Sequence, residues 1–279
     1  MNELELDFTR PAQSEVYNAN VARLFFRANG KARRVPAGTV LFAEETAGHT
    51  MFFLTGGQVM LTRGGKPLDV IKAGEVFGEM SVLTGVPRSA TATAKTVCQV
   101  IRMDGSAFAG AIQKFPEFAL MLLAILIKRL RLALAMQMLG KGQAAGAIDT
   151  IPTSGGVFDA DLLTNLASSF TARPPLFHSK NTVIMREGDG GIFMYVVVDG
   201  TVRITVQDTV VEMVRAGGVF GEMALVDQSQ RAATATAATD CNLLSINRND
   251  FLALIKTNPA FGVSLLRALA NRLRHTGRK

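Results

Sequence analysis

The sequence has little cysteine, histidine or tryptophan from which to build a redox, metal or stacking site. Its 279 residues include two cysteines, three histidines and no tryptophan. A disulfide-stapled domain needs a far higher density of cysteine, so that class of protein is excluded. His49, His178 and His275 show no metal-ligand spacing, and no G-x-S-x-G or kinase signature occurs. We therefore expect no metal site, no catalytic residues and no enzymatic activity.

Long hydrophobic runs are also missing. The richest apolar stretch covers residues 118–127, and Lys128 and Arg129 end it. A membrane-spanning helix needs about 20 apolar residues. The N-terminal segment MNELELDFTR lacks the charged-then-apolar pattern of a signal peptide. These absences predict a cytoplasmic protein with reduced thiols and no membrane insertion.

Basic residues outnumber acidic residues by 30 to 23, which gives a formal net charge of +7. This balance permits an anionic ligand or partner without identifying one. The length suggests about two domains of roughly 100–200 residues each. The basic residues are scattered, and one modest cluster near the C-terminus is typical of a solvated helix end (Arg272, Arg274, Arg278 and Lys279).

An internal repeat decides the domain organisation. Residues 73–94 and 216–237 share 13 of 22 positions at a constant offset of 143 residues, and the register continues without a gap over residues 39–131. A period of this length is a whole domain rather than a solenoid unit, so the sequence contains two tandem copies. Because the offset also pairs Cys98 with Cys241, we expect both cysteines to lie in equivalent buried strands.

Both copies begin with short strand-like runs and end with helical patterns. We predict a mainly β fold with flanking helices (α+β), in which two tandem antiparallel β-rolls or jelly rolls are each followed by C-terminal helices. Gly64-Gly65 between two runs predicts a hairpin turn. The expected strands are 50–54, 58–62, 68–72, 91–95, 192–198, 201–206 and 234–238, and the expected helices are 106–115, 117–139, 159–169, 249–257 and 260–275.

A stretch rich in glycine and threonine, residues 140–156, predicts a linker between the copies. The expected domains are therefore residues 1–139 and 157–279. The helix predicted over residues 117–139 carries apolar residues at three- and four-residue steps and is longer than one small domain needs. Its length favours a helix-to-helix contact, either between two chains as in a homodimer or between the two copies.

The most informative motif is F-G-E-M-[SA] followed six residues later by R-[SA]-A-T, and both copies contain it. Glycine lets backbone N–H groups approach an anion, arginine offers a fork for phosphate oxygens, and glutamate accepts from hydroxyls such as a ribose 2′-OH. Gly78, Glu79 and Arg88 together therefore indicate a sugar-phosphate pocket. The alternative is that the Gly-Glu pair marks a turn and that Glu79 and Arg88 form a structural ion pair.

These motifs resemble the phosphate-binding cassette of the cyclic nucleotide-binding domain family, which includes the catabolite activator protein, protein kinase A regulatory subunits and cyclic-nucleotide-gated channels. The family pattern is approximately F-G-E-[LM]-[AS]-L followed by P-R-[STA]-A-[ST]. The first copy has FGEMSVL and PRSAT, and the second has FGEMALV and QRAAT, where Gln230 replaces the proline. The resemblance covers residues 25–138 and 165–276.

The resemblance implies two ligand-binding sites. The glutamates would accept from the ribose 2′-OH, the arginines would pair with the cyclic phosphate, and backbone N–H groups would complete the phosphate cradle. The implied residues are Gly78, Glu79, Met80, Ser81, Arg88, Ser89 and Ala90 in the first site, and Gly221, Glu222, Met223, Ala224, Arg231, Ala232, Ala233 and Thr276 in the second.

The resemblance also bears on the base. In this family a threonine directly after the arginine favours cGMP, and this sequence has Ser89 and Ala232 there, which favours cAMP over cGMP in both sites. The C-terminal helix of the activator protein offers Thr-Ser to adenine. The register places Ala133 and Leu134 there in the first copy, an apolar contact, and Thr276 in the second, where it would hydrogen-bond the base.

Missing segments narrow the function further. A second binding domain stands where an activator-type protein carries its helix-turn-helix, so we expect no DNA binding. A kinase regulatory subunit carries an inhibitory R-R-x-[SA] segment. The only candidate here begins at Arg33-Arg34, but it lacks the Ser or Ala and indicates surface charge.

We predict a bacterial cyclic-nucleotide receptor without a cofactor, which signals to an unidentified protein effector when its C-terminal helix closes over the base. The alternative is a basic scaffold, or a nucleic-acid- or protein-binding module, with degenerate nucleotide sites.

Overall fold

A computed structural model describes residues 18–140, 153–154, 156–169, 174–225 and 230–276 of the chain. The description excludes the side chains of residues 131–140, 153, 154, 167, 169, 224, 275 and 276. The chain divides into two compact units, Met1–Met121 and Leu122–Lys279. Each unit contains the strands of one copy of the repeat.

The first unit starts with helix α1 (Ala19–Asn29), whose N-cap residue Asn18 accepts a hydrogen bond from the Asn20 backbone N–H. Eight strands follow, with one short helix between the sixth and the seventh. The strands are β1 (Lys31–Val35), β2 (Val40–Phe42), β3 (Thr50–Gly56), β4 (Gln58–Arg63), β5 (Lys66–Lys72), β6 (Val76–Phe77), β7 (Thr91–Ala94) and β8 (Cys98–Asp104), and the helices are α2 (Glu79–Thr84), a 3-10 turn (Gly105–Ala107), α3 (Phe108–Lys114) and α4 (Pro116–Gly140), which continues beyond Met121.

The strands of the first unit form two antiparallel sheets that enclose a β-roll. Their orders are β1-β8-β3-β6 and β2-β7-β4-β5. Alternating residues of both sheets meet in one core, which includes Leu54, Val59, Phe77 and Val100. The hairpin between β4 and β5 turns at Gly64-Gly65, where both residues have positive φ, as a two-residue turn requires. The predicted hairpin is therefore confirmed.

Aromatic side chains attach helix α1 to the rest of the first unit. Phe25 stacks on Phe118 of α4 with ring centroids 3.6 Å apart, and Phe26 stacks on Phe53 of β3 at 5.6 Å. Helix α1 thereby joins the roll to the first turn of α4. Two further phenylalanines meet the Phe25 ring edge-on, Phe108 and Phe115.

The second unit repeats this order of elements. A 3-10 turn (Glu222–Leu225) stands at the position of α2. The strands are β9 (Thr153–Ser154), β10 (Leu176–His178), β11 (Val183–Met185), β12 (Met194–Asp199), β13 (Thr201–Val206), β14 (Thr209–Arg215), β15 (Val219–Phe220), β16 (Thr234–Ala237) and β17 (Cys241–Ile246), and the helices are α5 (Ala160–Ser169), α6 (Arg248–Thr257) and α7 (Pro259–Thr276).

The sheets of the second unit run in the orders β10-β17-β12-β15 and β11-β16-β13-β14-β9, and Val197, Val202 and Leu243 lie in the core between them. The fold-class prediction is confirmed, because both units are antiparallel β-rolls with flanking helices. Strand β9 pairs parallel to β14 and lies inside the predicted linker. Sequence reasoning missed it because a strand of two residues carries no periodicity.

Helix α4 is buried on nearly all sides over residues 118–127 rather than along one stripe, and Lys128 and Arg129 beyond them are exposed. It begins at Pro116, one residue earlier than expected, because proline fits the first turn of a helix. Within the described residues no single helix has both the length and the apolar content of a membrane span, although the bent pair Gly105–Lys114 and Pro116–Leu130 meets these two criteria jointly. The homodimer contact through residues 117–139 stays a prediction.

Cys98 and Cys241 are free and buried, as their equivalent positions predicted. Burial raises the pKa of the Cys241 thiol, and Asp240 and Asp199 add to the rise. Because burial shields both thiols from the reagent, we expect both to react with iodoacetamide at least about 100-fold more slowly in the native protein than in the urea-unfolded chain. Mass spectrometry over time measures both rates, and equal rates in the two states would contradict the buried placement.

Candidate functional site

The first cassette starts where strand β6 ends. Gly78 follows with a φ of +75°, a left-handed conformation that glycine adopts without strain, and it caps helix α2. The helix ends at Gly85, which is also left-handed and whose N–H donates to the Ser81 carbonyl oxygen at 2.9 Å. The chain then returns to strand β7 through residues 86–90. These two turns bring the start of α2 close to the segment that carries the cassette arginine.

Arg88 joins the cassette to strands β2 and β3. Its Nη1 donates to the Gly78 carbonyl oxygen at 2.7 Å and to the Ser81 hydroxyl at 2.6 Å, and its Nη2 donates to the Thr50 carbonyl oxygen at 2.6 Å. Its Cζ lies 4.1 Å from the centre of the Phe42 ring, within the range of a cation–π contact. The partners of Arg88 are thus two carbonyls, a hydroxyl and a ring. The structural ion pair with a carboxylate, which was the alternative interpretation of the motif, does not describe this arrangement.

The remaining donor of Arg88 is unusual. The side chain is 5% exposed, and its buried Nε has no hydrogen-bond partner. Burial lowers the pKa of the Arg88 guanidinium, and the attraction of Glu79 opposes that shift. Arginine nevertheless stays protonated in proteins. The cassette therefore holds a desolvated cation with one donor unused, close to the buried carboxylate of Glu79.

The other expected residues of the first site lie on the same two segments. Ala90 is buried, and Met80 and Ser89 are half-buried. The Ser89 carbonyl oxygen accepts from Arg63 Nε at 2.9 Å, which fixes the segment against strand β4. The structure brings these residues together around Arg88, and their roles in binding stay predictions.

The second cassette repeats the arrangement with fewer contacts. Gly221 has a φ of +70°, and Arg231 donates from Nη1 to the Gly221 carbonyl oxygen at 3.1 Å. Arg231 Cζ lies 5.9 Å from the centre of the Tyr195 ring. Arg231 is 8% exposed, and its Nε is also buried without a partner. Burial lowers the pKa of Arg231, and Tyr195 and Glu222 oppose the shift. The same desolvated cation therefore occurs in both copies.

The remaining residues of the second site differ in exposure. The side chains of Ala224 and Thr276 lie outside the described part of the chain. Among the described ones, Glu222 is buried, Met223 and Ala233 are half-buried, and Ala232 is exposed.

A metal site is a separate question. Among the described residues, no group of three His, Cys, Asp or Glu side chains could hold a metal ion.

Helix α7 contacts the second cassette through Arg272. Its Nη1 pairs with Glu222 Oε1 at 3.4 Å, and its Nη2 donates to Glu212 Oε1 at 2.9 Å and to the Val219 carbonyl oxygen at 3.0 Å. The interpretation of Arg272 as part of a solvated helix end is therefore wrong, because its side chain is 21% exposed and holds three partners. One arginine joins α7 to strand β14, to strand β15 and to the expected ribose acceptor.

Two glycines that sequence reasoning missed stand against the cassette arginines. A Cβ added at Gly48 would meet Nε, Cζ and Nη2 of Arg88, and a Cβ added at Gly191 would meet the same atoms of Arg231. Neither glycine has a left-handed φ, so the close approach of the guanidinium, rather than the backbone conformation, requires glycine here. The offset of 143 residues relates the two positions, and it was the signal that could have revealed them.

A family model described as the cyclic nucleotide-binding domain matches residues 32–115 and 176–258, one match in each unit. The chain belongs to this family. The resemblance inferred from the two cassettes is confirmed, and cyclic nucleotide-binding domains account for both β-rolls.

Several known proteins are similar to parts of this chain. The cyclic AMP receptor protein of Thermus thermophilus is 38% identical over 96 residues, which are 33% of this chain and 44% of that protein. The cAMP-dependent protein kinase regulatory subunit of Eremothecium gossypii is 43% identical over 77 residues, which are 28% of this chain and 17% of that protein. The matches therefore span less than half the length of either relative. The regulatory domain of Toxoplasma gondii PKA, crystallised with cAMP, covers 90% of this chain and 96% of that chain, with 18% identity and a TM-score of 0.32.

Proposed function

We propose that each cassette binds one cyclic nucleotide, so that the chain is a receptor with two sites and a preference for cAMP over cGMP. The observation that carries the proposal is the buried Nε donor of Arg88 and of Arg231, which has no partner among the described residues. An unsatisfied buried donor costs about 1–3 kcal/mol, and more when it is charged. A cyclic phosphate would supply both an acceptor and the opposite charge. The same unsatisfied donor in both copies favours two sites over one.

The sugar and the phosphate of a cyclic nucleotide need different partners, and each cassette offers both. Glu79 and Glu222 are buried carboxylates that accept from the ribose 2′-OH, and Arg88 and Arg231 hold the phosphate. Backbone N–H groups at the start of α2 and of the 3-10 turn complete the cradle. The remaining ligand contacts that we assign are Gly78, Met80, Ser81, Ser89 and Ala90 in the first site, and Gly221, Met223, Ala224, Ala232, Ala233 and Thr276 in the second.

The two sites differ in how firmly the arginine is held. The Ser81 hydroxyl accepts from Arg88 Nη1 at 2.6 Å and donates weakly to the Gly78 carbonyl oxygen at 3.4 Å, so the first site uses this hydroxyl to orient the guanidinium. Position 89 contributes a serine hydroxyl in the first site, and Ala232 contributes none in the second. Neither position is threonine, and Ala232 offers no hydroxyl to a guanine amino group, which supports the preference for cAMP that we assign to both sites.

Arg272 supplies a route from the second site to helix α7. A ribose hydroxyl that donates to Glu222 competes with Arg272 for the same carboxylate, while Glu212 and Val219 keep the arginine in place. A ligand shifts a conformational equilibrium only through its different affinity for the two states. Occupancy of the site therefore changes how tightly α7 is held, and this change is the signal that a protein effector reads.

Arg272→Ala is expected to speed amide hydrogen exchange in helix α7 by about tenfold in the nucleotide-free protein, because the helix loses its contacts with Glu212, Glu222 and Val219. Exchange mass spectrometry of peptides covering residues 259–276 measures the effect. Arg248→Ala, at the exposed start of α6, is the charge-matched control. We also expect cAMP to slow exchange in α7 less in Arg272→Ala than in the wild type. Unchanged exchange in the variant would contradict the coupling.

The proposed role is regulatory rather than catalytic, as in the family. The relatives include a cyclic AMP receptor protein and a kinase regulatory subunit, and we propose by analogy that a separate protein responds to this chain. The proposed nucleotide-binding domains correspond to the two copies of the repeat, residues 1–139 and 157–279, with a linker between them. We do not propose that this chain binds DNA.

Calorimetric titration with cAMP and with cGMP, in separate runs on protein freed of nucleotide by refolding, tests this function. We expect cAMP binding with a dissociation constant of about 1 μM or tighter, weaker cGMP binding, and chromatographic recovery of intact cAMP afterwards. Tighter cGMP binding would overturn the base preference, and hydrolysed nucleotide would overturn the regulatory role. No heat and no thermal stabilisation with either nucleotide would leave the basic scaffold as the better account.

A further inference from the structure

A cleft of about 370 Å³ opens in the first unit between strands β1 and β2, the edge strands of the two sheets. Its walls combine polar groups with apolar side chains, and the apolar side chains include Val35, Leu41, Phe52 and Val100. The cleft lies beside the cassette, and neither helix α2 nor residues 89 and 90 line it. The two sites adjoin at Arg88, because Arg88 lines the cleft together with its neighbours Phe42, Gly48 and Thr50.

The charged side chains that line this cleft are cationic. The exposed guanidinium groups of Arg33 and Arg102 line it from neighbouring strands, and the buried Arg88 lines it from within. His49 adds an imidazole from the loop before β3. No acidic residue is among the described residues that line the cleft. The neighbouring carboxylate of Asp104 already accepts from the backbone N–H (3.0 Å) and the hydroxyl (2.9 Å) of Ser106.

The second unit shows that the roll does not need these cations. At the offset of 143 residues, Leu176 stands in place of Arg33 and is 59% exposed, and Ile192 stands in place of His49 and is 55% exposed. Ser245 replaces Arg102. The same fold thus accepts uncharged residues at all three positions, so the cationic lining is a property of the first unit rather than of the architecture.

We propose that this cleft is a further binding site, confined to the first unit, for a small phosphate monoester with an apolar body. The volume lies in the range of small-ligand pockets, about 300–1,000 Å³. Guanidinium groups bind phosphate through paired, charge-assisted hydrogen bonds. The apolar walls contact the body of the ligand, and Arg33 and Arg102 hold its phosphate. Arg33 and Arg102 lie outside the cassette, so variants of these two residues test the cleft separately from the proposed nucleotide binding.

The three histidines of the chain make NMR a direct test. His49 lines the cleft, and His178 occupies the corresponding strand β10 of the second unit, at the position of Val35. The probe is phenyl phosphate, added at constant ionic strength, and His49→Gln assigns the ring resonances. We expect the His49 resonances to shift and saturate while those of His178 do not. Inorganic phosphate, which lacks the apolar body, is expected to bind at least about tenfold more weakly.

A double variant can copy the second unit. Arg33→Leu with Arg102→Ser installs the residues that the same fold already carries there, and it is expected to weaken phenyl phosphate binding at least about tenfold. Arg33→Gln with Arg102→Gln is the second pair, in case the first fails to fold. Arg23→Gln with Arg27→Gln, at exposed positions of α1, is the charge-matched control and should bind like the wild type.

Four results would overturn the proposal. The His49 resonances could stay unshifted in the wild type, or both double variants could bind phenyl phosphate as tightly as the wild type. Equal affinity for inorganic phosphate would remove the role of the apolar walls. A parallel cAMP titration separates this site from the cassettes, because both double variants should keep wild-type cAMP affinity. Loss of cAMP binding in both would mean that cleft and cassette are one site.

Discussion

Replacing Arg88 with glutamine is expected to remove one of two cAMP sites, and Arg231→Gln is expected to remove the other. Each change deletes the cation that faces the phosphate, which is worth about 2–4 kcal/mol, or roughly 30- to 1,000-fold in affinity. The folded state should survive, because the change also removes a desolvated charge whose Nε has no partner. Calorimetric titration of each variant with cAMP measures the number of sites and their affinities.

The two arginine variants serve as controls for each other, because each leaves the other cassette unchanged. Arg34→Gln, at an exposed position of strand β1, controls for the lost positive charge. The double variant Arg88→Gln with Arg231→Gln should show no cAMP site at calorimetric concentrations. If the double variant still bound cAMP with wild-type affinity, neither guanidinium would contact the phosphate and the cassette assignment would be wrong.

Gly48→Ala is expected to lower cAMP affinity at the first site by at least about tenfold and the free energy of unfolding by about 1–3 kcal/mol. The added Cβ would lie 2.7 Å from Nη2 of Arg88 and closer still to Nε and Cζ. The guanidinium must then leave its position and lose its hydrogen bond to the Thr50 carbonyl oxygen. Calorimetry with cAMP measures the affinity, and urea unfolding measures the stability.

A matched glycine exists for this test. Gly110 lies in helix α3, where an added Cβ meets nothing within 4 Å, so Gly110→Ala should keep cAMP affinity and stabilise the helix by roughly 1 kcal/mol. Gly191→Ala should repeat the effect of Gly48→Ala at the second site, since its Cβ would meet the same atoms of Arg231. Wild-type affinity and stability in Gly48→Ala would show that Arg88 has room to move and that its contacts do not position it for phosphate.

The rolls and the cassettes could be predicted from the sequence because the information is local and appears twice. Alternating runs, the Gly64-Gly65 turn and the identical cassette residues each concern neighbours in the chain, and the repeat at a constant offset makes chance agreement improbable. A turn at Gly78 was only the alternative interpretation of the motif, beside the sugar-phosphate pocket. The structure gives Gly78 a left-handed conformation, which suits both interpretations.

The contacts that position the arginines could not be predicted in the same way. Gly48 requires glycine only because a guanidinium from a distant segment lies against it, and Arg272 finds Glu212 and Glu222 on strands far away in sequence. Arg272 was assigned to solvent because a basic residue in the last turns of a helix usually lies there. Such contacts depend on how distant segments pack against the β-roll, and no local sequence pattern predicts that packing.

Equilibrium dialysis of labelled cAMP against nucleotide-free wild-type protein tests the central claim most directly, because it counts bound ligand without depending on heat. The two buried, partly unsatisfied arginines predict saturation at two molecules of cAMP per chain. An excess of unlabelled 5′-AMP should displace little, since its dianionic open phosphate does not match a cradle shaped for the cyclic ester. Saturation at one would mean that one cassette is structural. No retained cAMP at micromolar concentrations would contradict the account.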